Sequence, residues 1–337
     1  MTSETISAGD GRSVASGRKL FLYLFWTGVG LAIVVALFVF SGLSVADLGA
    51  IVVAIPLWFY AVMACLQVAI LMMASVKWQI VLGQFPVGGK VLPLGDALAG
   101  TTLGALAGHV LPIQLVTPMT RAWVARPHQI STARAVGTSV FEQVPEVVVL
   151  LAMGLASTLV LVAQLGPVES GIAALAVGLI VISLIAPIFR LLCHFSNWAS
   201  GHLPEMVANV TAIIVRALDQ AASFPKRVFF QLLGFSFLRY ISMVVLNVGA
   251  ISVLVPDADV HSLALVYPLV LLIISLPFIP GGLGVLEVTW TGVLVGQGLG
   301  AVEAVEVALS LRVITTISFL AISPILILFR TSAAELK

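Results

Sequence analysis

Five ionisable side chains sit where oily surroundings make a charge costly. Arg239 lies inside the apolar stretch 228–255, Arg312 inside 304–329, Glu287 just beyond a glycine cluster, and Glu142 and Glu146 where 144–165 begins. A charge held at membrane depth costs at least about 2.5 kcal/mol on insertion scales, so each is a candidate site residue. Arg239 or Arg312 can neutralise Glu287 and lock two helices together. Alternatively, both can offset the lost hydration of an anionic head group. The sharpest local feature is Ile279-Pro280-Gly281-Gly282-Leu283-Gly284-Val285-Leu286-Glu287, a proline and glycine break followed by a renewed apolar helix. Glycines let successive backbone N–H groups converge, and the restarting helix presents its positive dipole end. Gly281, Gly282 and Gly284 could therefore cradle a phosphate or similar anion. Glu287, in the first turn of that helix, could instead cap it, and the turn could serve as a hinge or close-packing device.

Only a bilayer protein can position such residues. The 337 residues are 60% hydrophobic and 9% charged, with a mean hydropathy of +1.16, against a charged fraction of about 25% in soluble domains. Sixteen Lys and Arg against 15 Asp and Glu leave a net charge of +1, too small a field to hold nucleic acid. Cys65 and Cys193 lie far apart in apolar runs, which points to packing rather than a disulfide or metal site. Hydrophobic stretches fall at 20–40, 50–74, 97–117, 144–165, 171–192, 228–255, 262–280, 283–300 and 304–329.

Arg12, Arg18 and Lys19 place the N-terminus in the cytoplasm, and 20–40 reads as a retained anchor. The connections at 41–49, 166–170 and 256–261 lack Lys and Arg, whereas Lys77, Lys90, Arg121, Arg126 and Arg134 fall in the others. A full crossing by 97–117 would strand Arg121, Arg126 and Arg134 outside, so this segment is expected to be re-entrant. Gly100, Gly104, Gly108, Pro112 and Pro118 favour a broken path. The pair 262–280 and 283–300 reads as a deep hairpin, with two short crossings as the alternative. The expected fold is an all-α polytopic membrane protein of about six full spans plus two re-entrant or broken segments, about eight embedded units. Both termini are expected in the cytoplasm. Two interrupted segments entering from opposite sides have the arrangement of inverted structural repeats around a midplane site. The domain expected is 18–330, flanked by a disordered tail at 1–17 and a short tail at 331–337, with an interfacial amphipathic helix at about 203–222.

Other motifs carry less. Gly83 to Lys90 misses the phosphate-binding loop pattern, with Gly89 where lysine is needed. Asp257-Ala258-Asp259 with His261 imitates a metal-binding DxD motif but reads as a solvated turn. His109, in the first broken segment, reads as a hydrogen-bonded structural histidine or a proton relay. No cofactor and no metal is expected.

The run PFIPGGLGVLE, with Arg312 in SLRVITT 25 residues beyond Glu287, resembles the C-terminal signature of the lysylphosphatidylglycerol synthase transmembrane, or flippase-like, family. Lys77-Trp78, Leu111-Pro112, Arg121-Ala122 and Ser139-Val140-Phe141-Glu142 resemble its first-half pattern in order, so the likeness covers about residues 70–330. The chain departs from that pattern at Ile113 to Pro118, where a glycine-bearing turn is usual, and at Gln143, where a basic residue is common. The resemblance implies a plasma (inner) membrane protein that moves or supplies anionic or lipid-linked head groups. It adds Arg121 and Glu142 to the candidate substrate-binding set of Gly281, Gly282, Gly284, Glu287, Arg239 and Arg312. The reading is a lipid translocase that breaks no covalent bond, with membrane lipids and a lipid-synthesis enzyme as partners. The alternative is a membrane-embedded enzyme or accessory subunit of lipid or cell-envelope glycan biosynthesis.

Overall fold

The computed structural model describes residues 28–29, 31–40, 42, 44–84, 92–109, 111, 113–163, 225–274 and 282–330, with isolated positions between 169 and 180. The tails, residues 20–27, most of the stretch at 171–192, the amphipathic helix expected at 203–222, Gly281 and Cys193 lie outside the described residues. Every regular element among the described residues is helical. In chain order they are α1 (Leu31–Phe40), α2 (Val45–Ala54), α3 (Leu57–Gly83), α4 (Leu94–Ala107), α5 (Ile113–Ala125), α6 (Thr132–Phe141) and α7 (Val144–Ala163). Then follow α8 (Lys226–Leu254), α9 (Val260–Ile274), α10 (Val285–Gly296) and α11 (Ala301–Leu328).

Proline sets several boundaries. Pro56, Pro93 and Pro225 each stand immediately before a helix, where a preset φ helps and a missing N–H does no harm. Pro145 cannot donate back to the carbonyl of Phe141, and the run Thr132–Ala163 breaks there into α6 and α7. Four helical runs, Leu57–Gly83, Thr132–Ala163, Lys226–Leu254 and Ala301–Leu328, are long and apolar enough to cross a membrane. At about 1.5 Å per residue, the 27 residues of α3 reach about 40 Å, beyond a hydrocarbon core of about 30 Å. Their outer faces expose Trp58, Leu155, Phe230, Phe237, Leu320 and Leu328, as a lipid-facing surface does.

The expected broken segments are two helical hairpins. Arms α4 and α5, of 14 and 13 residues, reach only about 20 Å each and pack antiparallel. Gly104 makes the close approach, since a Cβ there would stand 2.7 Å from the Cα of Thr117. This hairpin occupies 94–125 rather than 97–117, so Arg121 belongs to its second arm and not to the loop beyond it. Pro118 lies inside α5, which begins at Ile113. The second hairpin, α9 and α10, has arms of 15 and 12 residues. Gln297 Nε2 donates to the carbonyl of Asp259 at its open end, and Tyr267 stacks on Trp290 with ring centroids 5.9 Å apart midway.

The two halves pack as inverted counterparts. Lys77, late in α3, reaches Ser236, early in α8, while Phe59 and Ile251 share a cluster at the opposite ends, so the two helices run antiparallel. Each half thus has a long helix, a hairpin rooted beyond its C-terminal end, and a closing helical run. Partners repeat accordingly: α3 and α4 pack on α11, and α8 and α9 pack on α7. Because α3 and α8 point in opposite directions, the hairpins enter from opposite ends and their tips approach in the middle.

Candidate functional site

Between the hairpin tips lies a cavity of about 450 Å³. Gly108, His109, Ile113 and Gln114 bring the first tip to it, and Ile274 and Gly282 bring the second. The long helices complete the wall. Arg239 comes from α8, Arg312 from α11 and Glu146 from α7, with Gln67, Asn247 and Thr315 as neutral hydrogen-bonding groups. Ile70, Leu71, Leu150 and Phe319 supply apolar wall between them. A space of this size is within the roughly 300–1,000 Å³ of small-molecule sites, and its mixed lining suits an amphiphile with a charged end.

Behind the wall is an ion-pair network centred on Lys77, which is wholly buried in α3. Its ammonium donates to Glu146 and, at 3.2 Å, to Ser236, and it lies 3.4 Å from Glu142 Oε2. Glu146 also accepts from Arg239. Arg121, 1% exposed, donates to Glu142 and to Ser139 at 2.9 Å each, and to Thr101 and the Ala74 carbonyl at 3.1 Å each. Its guanidinium also lies over the Trp78 ring, 5.0 Å from the centroid. Arg121 and Glu142 therefore lock the first hairpin to α3 and α6 and do not line the cavity. Among the described residues, Lys77, Arg121, Arg239 and Arg312 oppose Glu142, Glu146 and Glu287, four cations against three carboxylates.

The second half is held differently. Glu287 is 1% exposed, and neither of its carboxylate oxygens accepts a hydrogen bond; Arg312 Nε stands 3.7 Å from Oε1. It occupies the first turn of α10 but caps nothing. Gly284 takes the N-terminal cap position at φ +78°, and Gly282 has φ +65°, a conformation that favours glycine. Gly282 lines the cavity. The Arg312 side chain is 21% exposed and faces the same space. Of the two arginines weighed as partners for Glu287, Arg312 takes that place and Arg239 takes Glu146.

His109 Nδ1 hydrogen-bonds the Ala105 carbonyl at 2.9 Å, and its ring stacks on Phe319 while it lines the cavity. Asp259 of the DxD-like turn accepts from Ser262 and, at 3.0 Å, from the His261 main-chain N–H. The Ser262 bonds hold its carboxyl below the usual carboxylate range, so this group serves as the cap of α9. Sequence reasoning misses Lys77 because the apolar window ends at residue 74 and leaves Lys77 in the flank. The helix in fact runs on to Gly83, with no glycine or proline after Ala74 to stop it before that point. Asp96 and His128, paired at 2.8 Å and buried, were also missed; they tie the first hairpin's opening turn to the segment after α5.

No curated protein and no solved structure matches the chain significantly. The family model described as the lysylphosphatidylglycerol synthase TM region matches residues 25–323, which takes in both hairpins, the cavity and the ion-pair network. The chain is therefore a multi-pass membrane protein that belongs to the lysylphosphatidylglycerol synthase TM region family.

Proposed function

We propose that the chain is a lipid translocase, passing an anionic or lipid-linked head group through the cavity while the acyl or prenyl tails stay in hydrocarbon. The observation that carries this reading is the pair Arg239 and Arg312 on the wall of a cavity enclosed by two opposed hairpin tips. The site's excess positive charge favours an anion, Gln67, Asn247 and Thr315 suit hydroxyls or amides next to it, and the apolar wall suits the start of the tails. Membership of the family supports a role in lipid or cell-envelope biosynthesis or a flippase-like one. The Lys and Arg distribution supports cytoplasmic termini. An enzyme that makes the lipid in the same membrane is the partner this role calls for.

Covalent chemistry is not part of the proposal. Ser236 lines the cavity beside Lys77, a pairing that among the described residues resembles a nucleophile and its base. Lys77 is the donor in that bond and also donates to Glu146, so it offers no lone pair to take the Ser236 proton.

The test is reconstitution of the purified chain in phosphatidylcholine vesicles with acyl-labelled fluorescent phosphatidylglycerol, following leaflet exchange and the chemical identity of the lipid. Wild type is expected to exchange unchanged lipid. Arg312→Ala is expected to slow exchange at least about tenfold, since a hydrogen bond to a charged group contributes about 1.5–3 kcal/mol. Appearance of a new lipid species, or no exchange by wild type, would overturn the reading.

A further inference from the structure

Three carboxylates stand in or behind the cavity wall, Glu142 and Glu287 buried and Glu146 with a quarter of its side chain exposed, and two of them each pair with two cations. Glu142 has Arg121 and Lys77, and Glu146 has Lys77 and Arg239. Among the described residues Glu287 has only the guanidinium edge of Arg312, at 3.7 Å and without a hydrogen bond, although it is 1% exposed. Arg312 also faces the cavity, where an anionic head group would compete for it. If a phosphodiester takes the guanidinium, Glu287 is left buried with no counter-charge, a state that proteins avoid by neutralising the group.

Resting on the translocase reading, we infer that Glu287 carries the coupling proton of an electroneutral cycle in which one proton and one head-group anion cross together. In the empty site Glu287 is ionised and paired with Arg312. In the loaded site the anion pairs with Arg312 and the proton sits on a Glu287 oxygen, as a neutral carboxylic acid. The pair with its load is uncharged in both states, so the rearranging part of the protein moves no uncompensated charge through hydrocarbon. On the far side the anion departs, Glu287 releases its proton and the ion pair reforms. A phosphodiester stays ionised near neutral pH, so the proton must ride on the protein.

The groups around Glu287 fit this division of labour. From α11 it faces Arg312, with Glu303 and Glu306 on earlier turns of that helix. From α9 come Tyr267, stacked on Trp290 one turn beyond Glu287, and His261 near the helix start. His109, Glu146 and Arg239 line the cavity that Arg312 faces, and Glu146 and Arg239 are paired to each other. Glu287 is thus the acid that loses its partner when Arg312 engages a ligand.

The experiment uses the same vesicles and the same fluorescent phosphatidylglycerol, with pH and voltage gradients imposed separately. With equal pH on both sides, exchange by wild type tests the translocase reading; its absence overturns that reading and this inference together. With a gradient of about one pH unit, wild type is expected to enrich the probe about tenfold in the leaflet facing the alkaline side, and to ignore an imposed voltage. Exchange that ignores the pH gradient overturns proton coupling and leaves the translocase reading standing. In Glu287→Gln the final leaflet ratio is expected to follow voltage and not pH, because an unaccompanied anion moves; a retained pH response overturns the assignment. Should Glu287→Gln not exchange at all, Glu287→Asp, which keeps an ionisable group, must restore exchange with its pH response, and failure to do so overturns the assignment.

Discussion

In the first half of the chain, Glu142 and Glu146 share Lys77 and each has a guanidinium besides; in the second half, Glu287 faces one arginine across 3.7 Å with no hydrogen bond. Both arrangements bury carboxylates between a hairpin and a long helix, in halves that pack as inverted counterparts. The difference separates holding from working. A doubly paired carboxylate cannot exchange partners without exposing two cations, so the first half serves as a fixed frame. A singly paired one can exchange its partner for a ligand or a proton, and the second half meets the cavity through that pair.

The contrast breaks most visibly at Lys77. Lys77→Met is expected to cost about 3–5 kcal/mol, because it strips a shared cation from the buried Glu142 and the partly buried Glu146. Thermal unfolding in detergent should show a large fall in Tm, and Arg121→Met should resemble it. A Tm near that of wild type would mean that the first-half network is not a frame at all. Gly104→Val comes next, at about 1–3 kcal/mol, since the added side chain meets the Thr117 main chain and must push the two arms apart. Its effect should appear in the same melting experiment. It should also weaken protection of the first hairpin from proteolysis while leaving the second hairpin protected.

The sequence disclosed the two hairpins because their cause is local. Gly100, Gly104 and Gly108 allow the first hairpin's close approach, Gly282 and Gly284 shape the second turn, and the cationic flanks make a full crossing by 97–117 costly. Gly282, Arg239 and Arg312, which the sequence singles out because a charge or an unwound backbone in oil needs a reason, all line the cavity. The pairing was not. Arg239 meets Glu146 across 93 residues, and no spacing rule connects positions on separate helices. Lys77 was hidden for a related reason: an apolar window ends at a lysine whether the helix ends there or continues. Only the absence of a helix breaker before Gly83 could have signalled that α3 carries the charge inward.

The smallest expected effect sharpens the contrast most. Glu287→Gln keeps the shape of the side chain and removes a charge with no hydrogen bond to lose, while Arg312, 21% exposed at the cavity, can turn to water or lipid. Its stability should stay within about 1 kcal/mol of wild type, in either direction, because desolvation of the lost charge offsets most of the attraction it made. The same melting experiment should therefore place Glu287→Gln beside wild type and Lys77→Met far below it. If both fell equally, Glu287 would belong to the frame, and the freedom of the second-half pair to exchange partners would be lost. If Glu287→Gln melted above wild type, the chain would be retaining a destabilising carboxylate at the cavity, as expected for a group kept for transport rather than for folding.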